Sequence, residues 1–371
     1  MRILVVNAGS SSLKLSVLDE TDTALASETV DAPVGRIDDA ALRTAISANT
    51  PLDAVGHRIV HGGTEFTQPV LVDARVRRRL EALTDLAPLH QPKSLRGLDL
   101  VSRLLPDTPA VACFDTAFHA TISPAAATYA LPPEWRHRWD LRRFGFHGLS
   151  HAYASRRAAE LTGGDLGEMR IVTCHLGAGA SLAAVKGGTS VDTTMGFTPL
   201  EGLVMATRSG SVDPGLLLWL EEHVGMPPSE LATTLEHRSG LLGICGSGDM
   251  RVILQAEQDG DQDAALAIGV YLHRLRAAIA GMTAAMDGLD TLVFTGGVGE
   301  HAAAVRQRAA DGLGFLGIAV DPAANREEGA EREIGASGAA VRTLVVEARE
   351  DVEIARGVRQ VLATAGRPES R

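Results

Sequence analysis

Apolar and polar positions divide the opening of the chain into two runs. Ile3-Leu4-Val5-Val6 is a continuous apolar stretch, and Leu13, Leu15 and Val17 alternate with Lys14 and Ser16. A short continuous run reads as a buried strand and strict alternation as a half-buried one, so Ile3 to Asp19 is a predicted hairpin. Its turn holds Asn7, Gly9, Ser10, Ser11 and Ser12, where backbone N–H groups and hydroxyls crowd together and Gly9 lets a ligand approach. Such a turn suits a polyphosphate, with Lys14 pointing back toward it; a Ser-rich turn with a solvated lysine is the plainer alternative.

Further along, Asp31 to Asp53 reads as a connector. Val55 to Gly63 runs a short strand into a glycine-rich loop, with Arg58 and two histidines where the strand ends. Helices are predicted over Val76 to Leu86 and Ser94 to Leu105, separated by a proline-enforced turn. Ala110 to Phe114 is a buried strand with Asp115 at its exit, and Phe144-Gly145-Phe146-His147-Gly148 precedes a helix with Ser150 as its cap. At Ile171 the opening pattern returns: strand, glycine-rich turn, strand, through Val185. This weak repeat suggests duplicated domains, between which a nucleotide could lie in a cleft. A helix from Ala264 to Met286 carries Leu272, Leu275, Ile279, Met282 and Met286 on one stripe, a core or subunit contact rather than a cofactor box. Thr291 to Thr295 is a strand entering Gly296-Gly297-Val298-Gly299-Glu300-His301. Val341 to Val346 is the last strand, with Glu347, Glu350 and Asp351 at its junction with a helix over Asp351 to Leu362.

Composition narrows the class. The 371 residues, 45% hydrophobic and 22% charged, suggest two ordinary domains. A formal charge of −11 argues against a duplex nucleic-acid binder but leaves room for a small anion held by local Arg and Lys. Cys113, Cys174 and Cys245 are far apart and form no C-x-x-C, which fits a reducing cytoplasm without a disulfide framework or structural zinc. Neither a signal-peptide core nor a membrane span is expected.

Several blocks in fixed order resemble the acetokinase family, within the actin, sugar-kinase and Hsp70 ATPase superfamily. They are V-N-A-G-S-S-S-L-K from Val6, G-H-R-I-V-H-G-G from Gly56, F-D-T-A-F-H from Phe114, G-F-H-G-L-S-H from Gly145 and H-L-G-A-G from His175. The later ones are D-T-T-M-G-F-T-P-L-E-G from Asp192, R-S-G-S-V-D-P-G from Arg208, F-T-G-G-V-G-E from Phe294 and the acidic junction at Glu350. The resemblance implies an α/β fold of two duplicated actin-like, ribonuclease H-like ATPase domains facing across a nucleotide cleft. It places residues 1–119 plus 351–371 on the acyl and magnesium side, and 120–350 on the nucleotide side. The implied reaction is reversible transfer of the ATP γ-phosphoryl group to acetate, giving acetyl phosphate and ADP with Mg²⁺ or Mn²⁺, in a cytoplasmic homodimer.

The resemblance also assigns residues. Asp115, His147 and Arg208 match catalytic positions, and Arg58 matches a substrate contact. Val60, Leu89, Phe146 and Pro199 match a small apolar acyl pocket. Asn7 and Glu350 match magnesium positions, Lys14, Ser10 and Ser12 the phosphate turn, and His175, Leu176, Gly177, Ala178 and Gly179 the second phosphate loop. Asp249, Met250 and Arg251 match nucleotide contacts, and Gly297, Val298, Gly299, Glu300 and His301 the adenosine loop. The chemistry has its own logic: a carboxylic acid titrating at roughly pH 4 to 5 is already an anionic nucleophile at neutrality. It needs alignment and relief of charge repulsion more than a base, and Arg58 and Arg208 supply permanently charged forks.

This chain departs from the family pattern at Ala178, where Asn is common, at His301 and Ala302 in place of Asn-Ser, and at Val252 in place of an acid. Other readings stay open: a propionate or butyrate kinase, a different phosphoryl donor, or a non-catalytic actin-like ATPase. An NAD-dependent dehydrogenase is also open, from G-x-G-x-x-A at Gly297 followed by Asp321.

Overall fold

The computed structural model describes residues 1–8, 12–31, 38–87, 91–329 and 331–365. The chain divides into two compact units. The first comprises Met1–Ala120, Phe146–Tyr153 and Arg349–Arg371, and the second Thr121–Gly145 and Ala154–Ala348.

Unit 1 is built on β1 (Ile3–Ala8), β2 (Ser12–Leu18), β3 (Ala24–Asp31), β4 (Ala54–Ile59), β5 (Val70–Leu71) and β6 (Ala110–Phe114), in the order β3-β2-β1-β4-β6-β5. The predicted hairpin is present, with Val6 opposite Leu15 and Asn7 opposite Lys14. β4 runs parallel to both β1 and β6, so these three strands end on the same edge. One sheet face packs Leu4, Val6, Leu13, Leu15, Val55 and Val101 into a core. Each such side chain stabilises by about 1.5–3 kcal/mol when fully buried. The opposite face takes the helix Glu350–Ala365 at very close range: a Cβ at Gly56 would overlap Ile354 and Val358. Gly56 is there because the helix needs the space.

Unit 2 repeats the plan. β7 (Arg170–Leu176), β8 (Ala180–Lys186), β9 (Thr189–Thr193), β10 (Thr291–Thr295), β11 (Arg332–Glu333) and β12 (Arg342–Val345) lie in the order β11-β12-β10-β7-β8-β9. Read from β9, this is the order of unit 1, including the antiparallel two-residue strand at the far edge. The predicted long helix spans Gln262–Ala285, capped by Asp261, whose side chain accepts from the Ala264 N–H. Its stripe of Leu272, Leu275, Ile279, Met282 and Met286 is buried, so it is core.

Several expectations change. The connector contains a helix, Asp39–Ser47, capped by Asp38. The helix after Phe146 begins at Gly148, so Ser150 sits inside its first turn rather than capping it. Gly296–His301 is helical, not a loop. Asp321 caps the helix Pro322–Arg326, accepting from the N–H groups of Ala323 and Ala324 at 2.7 and 3.3 Å. A carboxylate spent on a helix terminus is not free for a ribose, which removes the dinucleotide reading.

Candidate active site

The parallel strands of unit 1 bring three polar residues to one edge: Asn7 in β1, Arg58 in β4 and Asp115 just past β6. Ligands bind outside such carboxyl ends in α/β sheets. Glu350, first residue of the closing helix, joins them from the far end of the chain. Arg58 donates from Nε and Nη2 to both Asp115 oxygens, at 3.0 and 2.7 Å, and from Nη1 to Asn7 Oδ1 at 3.0 Å. Asn7 Nδ2 donates to Glu350 Oε2 at 2.8 Å, and the same oxygen lies 3.4 Å from Arg58 Nη1.

The side chains of Arg58, Asp115 and Glu350 are 16%, 2% and 13% exposed. Two acids share one guanidinium. Burial opposes the charge on Arg58, but Asp115 and Glu350 outweigh it and raise its pKa. Burial also pushes the Asp115 carboxyl upward, opposed but not outweighed by the charge and hydrogen bonds of Arg58.

Lys14, opposite Asn7 on the same face of the hairpin, is exposed. Val60, directly after β4, is buried. Phe146 is also buried and meets His61 edge-on at 5.5 Å, while His119 Nε2 donates to the Phe146 carbonyl at 3.0 Å. His147 follows with a left-handed backbone, φ 56°. The Gly148 N–H donates to the Asp115 carbonyl at 2.9 Å, and a Cβ at 148 would strike that carbonyl. The glycine therefore ties the His147 turn to the end of β6. Ser10 and Leu89 lie outside the described residues, and of Ser12 only the backbone is described.

Unit 2 offers a cavity of about 550 Å³. Gly177 and Ala178 form one wall, Gly248 to Arg251 with Leu254 another, and Gly297, Val298, His301 and Ala302 a third. The turn between β7 and β8 closes by a Gly177 N–H to Gly179 carbonyl bond of 2.9 Å; Leu176 is buried behind it and His175 half-buried. Asp249 caps the helix Met250–Gln258 and pairs with Arg251 at 2.7 Å. Hydrogen bonding to Arg251 holds the Asp249 carboxyl down at about 2. Gly299 and Glu300 do not line the cavity: Glu300 Oε1 accepts instead from the N–H groups of Gly296 and Ala348.

Arg208, also in unit 2, differs from Arg58. Its Nη1 donates to the Pro199 carbonyl at 3.2 Å, and no carboxylate lies within ion-pair distance of it among the described residues. Burial lowers its pKa, opposed by Glu236. The Pro199 segment is held by two residues outside the motifs, Tyr129 and Arg143, acting on Glu201 and Phe197 of its own block. Tyr129 Oη donates to Glu201 at 2.6 Å and accepts from the Phe197 N–H, and Arg143 pairs with Glu201 at 2.8 Å.

Comparison with known proteins decides the family. The family model described as the acetokinase family matches residues 22–356. The chain belongs to the acetokinase family. The acetate kinase of Leifsonia xyli is 45% identical, with 97% of this chain and 99% of that one covered. That of Microcystis aeruginosa is 42% identical, covering 96% and 98%. Among solved structures, Porphyromonas gingivalis acetate kinase superposes with a TM-score of 0.89 at 36% identity, covering 97% of this chain and 99% of that one. A propionate kinase from Francisella tularensis gives 0.89 at 35%, covering 96% and 98%. The two sheets are thus the two actin-like domains of acetokinases.

Among the described residues, no group of three or more His, Cys, Asp or Glu is placed to hold a metal ion. A cage of protein ligands is absent there, but Mg²⁺ does not require one. It is commonly bound through one or two carboxylates, with waters and substrate phosphates completing the octahedron. The Asn7 amide and the Glu350 carboxylate, joined by a hydrogen bond of 2.8 Å, carry hard oxygen donors of the kind such an ion takes.

Proposed function

We propose that the protein is an acetate kinase, transferring the γ-phosphoryl group of ATP to acetate and running in reverse from acetyl phosphate and ADP. The observation that carries this reading is the Asn7–Arg58–Asp115–Glu350 cluster in a chain of the acetokinase family. Arg58 presents a guanidinium already oriented by Asp115, leaving an Nη2 N–H to address the substrate carboxylate. Arg208, with no carboxylate partner to give up, stabilises charge on the transferring group, with His147 as its companion. Acetate arrives ionised, so Asp115 acts by holding Arg58 and its surroundings rather than as a base.

Asn7 and Glu350 would hold Mg²⁺, which when bound screens the phosphate charge. The cavity at Gly177, Ala178 and Val298 takes the nucleotide, Lys14 meets phosphate, and Val60 and Phe146 bound the acyl methyl. In-line transfer then requires acyl group and nucleotide to meet at one phosphorus.

Acyl phosphate trapped as hydroxamate from ATP, Mg²⁺ and acetate tests the reaction. Propionate should be a poorer substrate by roughly 10–200-fold in kcat/KM, since one methylene discriminates by only about 1–3 kcal/mol. A higher value for propionate or butyrate would reassign the acid. Formation with pyrophosphate but not ATP would trace the departure at Ala178 to the donor.

The proposal extends to a cytoplasmic homodimer. The three cysteines are free, and no helix among the described residues is long and apolar enough to cross a membrane. Leu216, Leu218, Trp219 and Val224 are exposed together on the helix Pro214–Trp219 and the turn after it, an apolar surface suited to self-association. Light scattering of Trp219→Asp should show a monomer; an unaltered protein that is itself monomeric removes this part.

A further inference from the structure

The helix Gly296–His301 supplies one wall of the nucleotide cavity, yet its sequence, G-G-V-G-E-H, is a poor helix former. Each interior glycine costs about 1 kcal/mol relative to alanine. Two charged side chains hold it instead. At its start, Glu300 Oε1 accepts from Gly296 N–H at 2.8 Å and from Ala348 N–H at 3.0 Å, fastening the helix to the segment that follows β12.

At its end, Arg306 reaches back from the helix Ala303–Asp311 and donates from Nη1 to the carbonyls of Gly299 and Glu300 at 2.9 and 2.7 Å. Its Nε and Nη2 donate to Asn325 Oδ1 and to the Asn325 carbonyl at 2.8 and 2.7 Å, and Asn325 Nδ2 donates to the Ala303 carbonyl at 2.9 Å.

Arg306 is 1% exposed and Asn325 2%. Every acceptor of this guanidinium is a neutral carbonyl or amide oxygen, and burial lowers its pKa to about 10. A buried charge without a counter-ion is expensive. What it achieves is geometric, because a planar fork fixes two successive carbonyls at the negative end of the helix. Gly299 and Glu300 are held away from the cavity, while Gly297, Val298 and His301 are turned into it.

We propose that Arg306, braced by Asn325, is a positioning residue for the nucleotide: it fixes Gly297, Val298 and His301 at the distance the adenosine requires. This rests on the nucleotide reading of the cavity. The test is calorimetric titration of ADP into the full-length protein, with KM for ATP and for acetate measured in parallel on Arg306→Gln, Arg306→Lys and Asn325→Ala.

Arg306→Gln should weaken ADP binding and raise KM for ATP by about tenfold, through loss of several charge-assisted bonds. KM for acetate and kcat should stay within about twofold. Arg306→Lys, which keeps the charge but not the fork, should fall between. If Arg306→Gln does not fold, Asn325→Ala leaves the guanidinium on its helix carbonyls and should shift ADP affinity in the same direction by less. A folded variant with lowered Tm but unchanged ADP affinity overturns the proposal, as does an equal rise in both KM values. An unaltered protein that forms acyl phosphate but does not bind ADP overturns the nucleotide reading and this proposal with it.

Discussion

The two units share a topology down to the short edge strand, so their ladders can be matched residue by residue. With Ile3 set against Ile171, the register places Asn7 opposite His175, Lys14 opposite Ser181, Arg58 opposite Thr295 and Asp115 opposite Ala348. Unit 1 thus concentrates charge at its strand ends, where unit 2 carries histidine, serine, threonine and alanine. The position that would correspond to Asp115 donates its backbone N–H to Glu300. One fold has been given two strand-end edges: one that gathers paired charges and one that does not. The lesson is that chemistry here follows side chains at equivalent backbone positions, not the backbone itself.

The largest effect expected from breaking this contrast is Arg58→Met. It leaves Asp115 and Glu350 buried without their common partner, a loss on the order of 3–5 kcal/mol in urea unfolding, with acyl-phosphate formation abolished. A loss below about 1 kcal/mol would mean the cluster is far better solvated than its geometry implies. Arg208→Ala has no carboxylate to strand, so it should fold normally and lower kcat by roughly 10²–10³-fold while ADP affinity is kept.

Acid should separate the units. Burial holds His57, His61 and His119, all in unit 1, at about 4 against an ordinary 6.5, with Asp99 partly opposing for His57 and the Phe146 carbonyl for His119. Between pH 6.5 and about 4 the unfolded chain takes up protons that the native histidines refuse. Stability from this source is therefore complete above 6.5 and lost as the pH falls toward 4. All three tryptophans lie in unit 2. On acidification, far-UV circular dichroism should decline before tryptophan emission shifts; simultaneous changes would contradict the assignment.

The smallest effect belongs to Thr295→Val, at the place equivalent to Arg58. The Thr295 hydroxyl is buried without a hydrogen-bond partner. Its replacement by a methyl should change the unfolding free energy by less than about 1 kcal/mol, in the stabilising direction.

Much of this architecture was readable where periodicity ran long enough. The hairpin at Ile3, the strand Ala110–Phe114 and the helix Gln262–Ala285 came from pattern alone. β5 and β11 did not, because a strand of two residues has no period and exists only through its partner. Gly296–His301 read as a loop because its glycines disfavour helix; the side chains that override them are local in the case of Glu300 and come from the next helix in the case of Arg306.

At the site, the motifs gave the identities of Asn7, Arg58, Asp115 and Glu350. That Arg58 spends most of its donors on Asp115 and Asn7 is a matter of strand register, which no spacing reveals. Tyr129 and Arg143 fall outside every motif, and Glu201, inside the block from Asp192, carries no role there because its part is to support the Pro199 segment.

The closing helix has a consequence for how the protein is made. Arg58 and Asp115 emerge from the ribosome long before Glu350, while Glu350–Ala365 supplies both the last member of the cluster and the packing behind Gly56. The nascent chain can form unit 2 while the strand-end cluster of unit 1 is still missing a carboxylate and its supporting helix. On the roles proposed above, synthesis order acts as a safety catch, and a released chain truncated after Ala348 should give no hydroxamate.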